Sequence, residues 1–344
     1  MHTVTVKISN KYDIHIGSGL LRVLGEEARK LEMGETACIV SDTNVWPLYG
    51  EAVKRSLENS GFSVVSWVFP AGEEEKNGSN YLKLLNFLAE NRLTRSDFII
   101  AMGGGVVGDL AGFAAASYLR GIPYIQVPTT LLAAVDSSVG GKTAIDLPGG
   151  KNLCGAFYQP KLVLCDTDTL DSLPPDIFRD GCAEVIKYGI LYDPTLFDKL
   201  EASGTDFDRE EIIAKCVEWK AHVVQQDEFD TGKRMKLNLG HTIGHGVETR
   251  SNYTLSHGKS VAIGLSIVCR ASNCADSGRI IACLTRFGLP TTTDYPAEEV
   301  YACALSDKKR TGTTVKLIIP RKIGYCDIVP TPVDALLPFI QAGL

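Results

Sequence analysis

The sequence predicts an α/β domain of Rossmann-like character followed by a mainly α-helical domain. Three observations predict it. Strand-like and helix-like stretches alternate through the first half, and a glycine run, Gly103-Gly104-Gly105, follows one of the strands. After about residue 170, long helical patterns replace the strands. Strands alternating with helices give a mostly parallel sheet covered on both faces.

The elements follow in chain order. Residues 1–7 alternate as a strand and lack the layout of a signal peptide. Residues 36–41 are a short apolar run that ends in Asp42-Thr43-Asn44. Residues 63–69 form a second strand candidate, and 82–91 have helical spacing. Residues 98–102 read as a buried strand running into the glycines, and 124–128 and 162–166 continue the pattern. The stretch 166–175 ends in Pro174-Pro175 and marks the boundary. The expected domains are therefore 1–170 and 171–344, with the site in the cleft between them. Helical patterns in the second domain cover 181–191, 209–226, 237–251, 259–277 and 297–304, and the main strand pattern is 314–320.

Size and charge limit the function. A single core stops growing at about 250–300 residues, so 344 residues suit two domains. The net charge of −6 argues against general binding to nucleic acid or a membrane surface. No apolar run reaches the roughly 18 residues that span a bilayer. The ten cysteines include no Cys-x-x-Cys pair, and most sit in apolar surroundings. That usage suits reduced thiols, and the expected location is cytoplasmic.

Met102-Gly-Gly-Gly-Val-Val-Gly-Asp109 follows a strand and opens a helix of small residues. Glycines let backbone N–H groups approach a pyrophosphate, and a helix N-terminus favours its charge. The spacing matches Gly-x-Gly-x-x-Gly, yet it is not on the first strand and no acidic residue follows about 20 positions on. A plain strand-to-helix turn is the alternative. Asp42 could take ribose hydroxyls, and Glu73 and Lys76 could flank an adenosine, although each taken alone is more readily a solvated loop charge.

Glu184 and Lys187 are three apart in a helical stretch, and His241 and His245 are four apart, so each pair shares a face. His257 comes 16 residues after His241. The pattern is not His-Glu-x-x-His, which excludes the metalloprotease reading. One carboxylate with two imidazoles is an open three-ligand zinc set. Any one histidine could be a core or surface residue, but three of the six fall within 17 residues among glycines. Cations accompany them: Lys142, Lys151 beside Asn152, Lys187, Lys220, Arg234 and the run Lys308-Lys309-Arg310. Lysine and arginine beside paired glycines suit phosphate and carboxylate recognition.

These motifs together resemble the 3-dehydroquinate synthase family. The densest matching blocks are residues 102–112, Pro128-Thr-Thr-Leu131, Asp136-Ser-Ser-Val-Gly-Gly-Lys-Thr143, residues 150–160, residues 181–189, Asn238-Leu-Gly-His-Thr-Ile-Gly-His245 and His257-Gly258. The resemblance implies NAD+ and a divalent metal (zinc, cobalt or another) as cofactors. It implies 3-deoxy-D-arabino-heptulosonate 7-phosphate, a small anionic phosphosugar, as substrate. Transient oxidation, phosphate elimination, re-reduction and internal aldol closure would give 3-dehydroquinate.

By the same resemblance Glu184, His241 and His257 ligate the metal. Lys142, Asn152, Lys187, His245 and Asp230 form the catalytic set. Arg120, Asp136, Lys142, Asn152, Lys187, Lys220, Arg234, Asn238, His245, Lys308 and Lys309 meet the substrate, with Arg120 reaching a neighbouring subunit's site in a homodimer. Asp42, Asn44, Glu73, Lys76, Gly104, Gly105, Val106, Asp109, Thr129, Thr130, Lys151, Thr169 and Leu170 line the NAD+ path.

The chain departs from the family pattern at three places. Asp230 stands where glutamate is frequent, one methylene shorter; Gly246 replaces a frequent alanine; Lys259 replaces a frequent acid. Three rival readings are other sugar-phosphate cyclases, a glycerol-dehydrogenase-like oxidoreductase and a non-catalytic nucleotide-binding regulator. Asn152, His245 and the Lys308-Lys309 pair follow the dehydroquinate pattern, and intact Glu184, Lys187, His241 and His257 argue against the regulator.

Overall fold

The computed structural model describes residues 1–305 and 313–344. In chain order the elements are β1 (His2–Val6), β2 (Tyr12–Gly17), α1 (Leu24–Arg29), β3 (Thr36–Asp42), α2 (Trp46–Asn59), β4 (Ser63–Phe69), α3 (Gly78–Glu90), β5 (Phe98–Gly103), α4 (Gly105–Ser117), β6 (Tyr124–Pro128), β7 (Lys142–Leu147), β8 (Gly150–Phe157) and β9 (Leu162–Asp166). There follow α5 (Pro175–Leu191), α6 (Pro194–Ser203), α7 (Arg209–Gln226), α8 (His241–Arg250), α9 (His257–Ala271), α10 (Ser277–Arg286), α11 (Ala297–Leu305), β10 (Thr314–Lys322), β11 (Tyr325–Pro332) and α12 (Val333–Gly343).

The chain divides into two compact units: residues 1–173 with 209–229, and residues 174–208 with 230–344. This differs from the boundary expected at 170. Helix α7 belongs to the first unit because its ends are tied to the N-terminal strands. The Met1 amino group meets Glu210 at 2.7 Å, and the Lys7 and Ser9 amides bond Gln225 and Glu228 at 3.2 Å. Sequence periodicity shows that 209–226 is a helix, not which sheet it covers.

The first unit is built on a seven-stranded sheet of order β1-β2-β9-β6-β5-β3-β4, parallel except for the β1–β2 pair. Alternate residues of β3 enter opposite cores, as a pleated strand requires. Ala37 and Ile39 pack with Val53 and Leu57 of α2, whereas Cys38 and Val40 pack with Leu84 of α3 and Leu110 of α4. Burial on both faces explains the continuous apolar runs of the central strands. The hairpin β7–β8 forms a separate two-stranded sheet and was not read from the sequence.

The second unit is helical, with the antiparallel pair β10–β11. Its centre is the close crossing of α8 and α9. A Cβ on Gly264 would stand 2.2 Å from the Gly240 carbonyl oxygen, and one on Gly244 would stand 2.9 Å from the Ser260 oxygen. Backbones this close leave no room for side chains, so glycine is required at both places. The expected helix over 237–251 is instead a short 3-10 turn (Lys233–Asn238), then Gly240 at φ 77°, then α8. That turn makes His241 the first residue of its helix, and His257 is likewise the first of α9. No helix of the described residues is long and apolar enough to cross a membrane. No disulfide joins any cysteines among them.

Candidate functional site

In the first unit β5 is wholly buried and delivers Gly103-Gly104-Gly105 to the start of α4. The glycines have different reasons. A Cβ on Gly103 would strike Val107 at 2.5 Å, and one on Gly108 would strike Gln126 at 2.7 Å, so these two allow the helix to pack. Gly104 and Gly105 are half-buried at the helix N-terminus, and no acidic residue lies in the first turn. Beside them Thr129 donates its amide to the Gly103 carbonyl at 3.0 Å. Its hydroxyl is buried and finds no hydrogen-bond partner among the described residues. Val106 and Thr130 are half-buried in the same segments, and Thr130 Oγ1 accepts the Ala133 amide at 3.1 Å. A turn of bare amides with one unsatisfied hydroxyl fits an anionic ligand such as a nucleotide pyrophosphate.

Lys76, in the turn before α3, is buried beside Asp109 of α4. Its Nζ lies 2.9 Å from Glu73, 3.3 Å from Asp109 and 3.8 Å from Asp146, and Lys151 reaches Glu73 at 3.6 Å. Burial alone would lower the lysine pKa; Asp109, Glu73 and Asp146 outweigh it and hold Lys76 above the usual range. Burial pushes Asp109 up to about 6 against the pull of Lys76. Asp146 also accepts the Asn152 amide at 2.7 Å, which holds Asn152 at φ 53° next to the hairpin turn. Lys142 is exposed at the other end of the same hairpin.

The remaining candidates of this unit are dispersed around it. Asp136 lies in a π-helical turn, and Lys220 of α7 bonds its carboxylate at 2.7 Å and also its carbonyl. Asp42 accepts the amides of Asn44 and Val45 at 2.8 and 2.9 Å, closing the turn into α2. The Thr169 hydroxyl bonds the Asp166 carbonyl at 2.7 Å, and Leu170 is buried beside it. Arg120 is exposed, in a turn where it, Leu119 and Gly121 all have positive φ.

The second unit gathers the imidazoles. Glu184 and Lys187, buried on α5, contact each other through Oε2 and Nζ. Glu184 Oε1 faces His241 Nε2 at 3.4 Å and His257 Nε2 at 3.6 Å. Ligands on a tetrahedral zinc with bonds of about 2.0–2.1 Å stand about 3.3–3.4 Å apart. Both Glu184–imidazole distances therefore suit a shared ion and are long for hydrogen bonds, and the three ligand atoms lie within 4.8 Å of one another. His241 Nδ1 lies 3.0 Å from the Leu239 carbonyl. That bond, donated by the ring, leaves the Nε2 lone pair toward Glu184. His257 Nδ1 faces Glu248 at 3.7 Å. Burial would lower the His257 pKa; the neighbouring carboxylates of Glu184 and Glu248 outweigh it and raise the ring to about 10. A divalent ion at Nε2 would supply the positive charge that the proton supplies there.

His245 lies one turn along α8, its ring 5.5 Å from His241 and 5.9 Å from His257. His245, Glu248 and His257 also form a group within ligand distance. Arg234 is buried, Asn238 half-buried, and Asp230 half-buried at φ 57°. Lys308 and Lys309 lie outside the described residues.

Three residues were missed by the sequence reading. Glu248 is three positions after His245, so helical spacing alone could have found it. Asp180 lies one turn before Glu184 on α5 and bonds the start of α9. Asp146 had no local signal, since its partners are set by the hairpin.

Fold and site define the class: an α/β-plus-helical enzyme with an open carboxylate and imidazole ligand set. A family model for the N-terminal part of 3-dehydroquinate synthase matches residues 66–180, and one for its C-terminal part matches residues 181–310. The chain is 47% identical to a 3-dehydroquinate synthase of Pelobacter propionicus, over 98% of each chain. Among solved structures it resembles a 2-deoxy-scyllo-inosose synthase complexed with carbaglucose-6-phosphate, NAD+ and Co2+ (TM-score 0.89, 24% identity, 100% of each chain). It also resembles a 2-epi-5-epi-valiolone synthase of Streptomyces hygroscopicus with NAD+ and Zn2+ (TM-score 0.87, 25% identity, 99% of each chain). The chain belongs to the 3-dehydroquinate synthase family, enzymes that eliminate phosphate and close a carbocycle.

Proposed function

We propose that the chain converts 3-deoxy-D-arabino-heptulosonate 7-phosphate to 3-dehydroquinate and phosphate, with NAD+ on the glycine turn and one divalent ion on Glu184, His241 and His257. The observation that carries the reading is the 3.4 and 3.6 Å spacing of the three ligand atoms, in a chain of this family. The valiolone synthase neighbour, with NAD+ and Zn2+, supports the cofactor pair.

When bound, NAD+ supplies a reversible hydride acceptor and the ion a Lewis acid. The chain's own groups do the rest. Gly104 and Gly105 present amides to the pyrophosphate, and Thr129 offers its hydroxyl. Asp42, Asn44, Val106, Thr130, Lys151, Thr169 and Leu170 complete the nucleotide set. Lys76 acts within it by holding Glu73 and Asp109 in place.

Lys142, Asn152 and His245 serve the phosphate and the proton transfers, and Lys308 and Lys309 add to the phosphate pocket. Asp136, Lys187, Lys220, Arg234 and Asn238 orient the carboxylate and hydroxyls, and Asp230 keeps a carboxylate for proton relay. Burial of Lys187 against Glu184 keeps its ammonium from rotating freely. Arg120 meets the site of a second copy in a homodimer, and the enzyme works in the cytoplasm.

The test is phosphate release from the heptulosonate phosphate with NAD+ and zinc, before and after chelator, with absorbance at 340 nm followed in parallel. Chelator-sensitive release at catalytic NAD+, with no lasting NADH signal, is expected. Folded, zinc-loaded protein that releases no phosphate contradicts the reading. NADH accumulation on a polyol would move the chain to the dehydrogenase chemistry.

A further inference from the structure

His257 opens α9, and the first amides of any helix have no intrahelical acceptor. The cap residue is Ser256, a type that ordinarily bonds the third amide with its own hydroxyl. Here it makes no such bond. Its hydroxyl donates to Oδ1 of Asp180, and the same oxygen accepts the Lys259 amide at 2.9 Å. The capping oxygen of α9 is therefore carried by α5.

Asp180 is buried, four residues before Glu184 on one face of α5. A Cβ on Gly258 would come within 2.0 Å of the Asp180 carbonyl oxygen, so the two helices also touch through their backbones. Cap and ligand are thus about 6 Å apart on one rigid helix. That helix sets both ends of the Glu184–His257 spacing. A carboxylate also suits the positive end of α9.

We propose that Asp180 is a positioning residue for the metal ligand His257. It touches neither ion nor substrate; it fixes the start of α9 so that His257 Nε2 faces Glu184 Oε1. This rests on the reading of Glu184, His241 and His257 as ligands.

The experiment is zinc affinity of the whole, metal-stripped chain by competition with a chromogenic chelator, at a temperature where circular dichroism shows each variant folded. The variants are Asp180→Ala, Asp180→Asn, Asp180→Glu and Asp193→Ala. Asp193 accepts the Leu196 amide at 3.0 Å and caps α6, so its loss is a matched cap deletion away from the imidazoles. Asp180→Ala should weaken zinc binding about 10–100-fold. Asp180→Asn should stay within about threefold of the parent, because aspartate and asparagine cap about equally. Asp180→Glu keeps the charge but moves the cap, and should weaken binding. It also tests the point should the alanine variant not fold.

Asp193→Ala should bind zinc as the parent does. Parental affinity in both Asp180→Ala and Asp180→Glu overturns the proposal, and so does an equal loss in Asp193→Ala. A parent chain that binds zinc no better than Glu184→Gln overturns the ligand reading instead.

Discussion

Both units bury lysine against carboxylate, and Lys76 of the first and Lys187 of the second are balanced differently. Lys76 sits among Glu73, Asp109 and Asp146, with Lys151 adding a second positive charge. Its network is closed by hydrogen bonds and ion pairs between side chains that hold the hairpin and α4 together. Among the described residues Lys187 contacts Oε2 of Glu184, and Oε1 faces two ring nitrogens at 3.4 and 3.6 Å. Buried charge is costly unless paired. The first arrangement meets that demand with the protein's own groups. The second has lone pairs converging on one point, which is the demand a cation meets. Burial of charge alone does not mark a reactive site; convergence of ligand atoms does.

The largest way to break this comparison is Glu184→Gln. Loss of the ion's charge stabilisation, about 4 kcal/mol, should lower kcat/KM about 1,000-fold. Metal content should fall with it. If the variant keeps both its metal and its rate, Glu184 is no more than another ion-pair carboxylate.

Lys76→Met comes next. It leaves buried carboxylates uncompensated, a loss of about 3–5 kcal/mol. A lower thermal midpoint with parental zinc content is expected. Unchanged stability would show that the network is not structural.

The pH response sharpens the comparison further. Asp109 has its pKa raised by burial from 3.8 to about 6. Its contribution to stability is therefore complete below the unfolded value and is lost as pH rises through about 6. Urea midpoints between pH 4 and 7 should fall less steeply with rising pH in Asp109→Asn than in the parent. Identical slopes would mean that this carboxyl binds no extra proton on folding.

The smallest effect is expected at Gly104→Ala. Its φ of −76° suits any residue, and among the described residues the new Cβ would meet only Thr130, at 3.1 Å from Cγ2 and 3.6 Å from Oγ1. Stability should change by about 0.5 kcal/mol or less, while KM for NAD+ rises. An unchanged KM would remove this glycine from the nucleotide turn.

Much of this was legible in the sequence, for physical reasons. The central strands are buried on both faces, so 98–102, 124–128 and 162–166 stand out as apolar runs. Glu184 with Lys187 and His241 with His245 were readable because helical spacing puts each pair on one face. His257 stood out beside Gly258, and the close approach of Gly258 to Asp180 gives that pair its structural reason.

What was not legible depends on contacts distant in the chain. Helix α7 bears no mark of the strands it covers. The hairpin β7–β8 gives no strand pattern in the sequence, where Lys142 and Lys151 stand out only as cations beside paired glycines, because its turn glycines and exposed residues hide the alternation. Asp180 carries no local signal in the sequence, since its partner amide is 79 residues away.

The most direct test of the central claim is diffraction at the zinc absorption edge from crystals of the zinc-loaded chain. The account predicts one strong anomalous peak within about 2.0–2.2 Å of Glu184 Oε1, His241 Nε2 and His257 Nε2. No peak there, or a peak held by His245 and Glu248 instead, would contradict it.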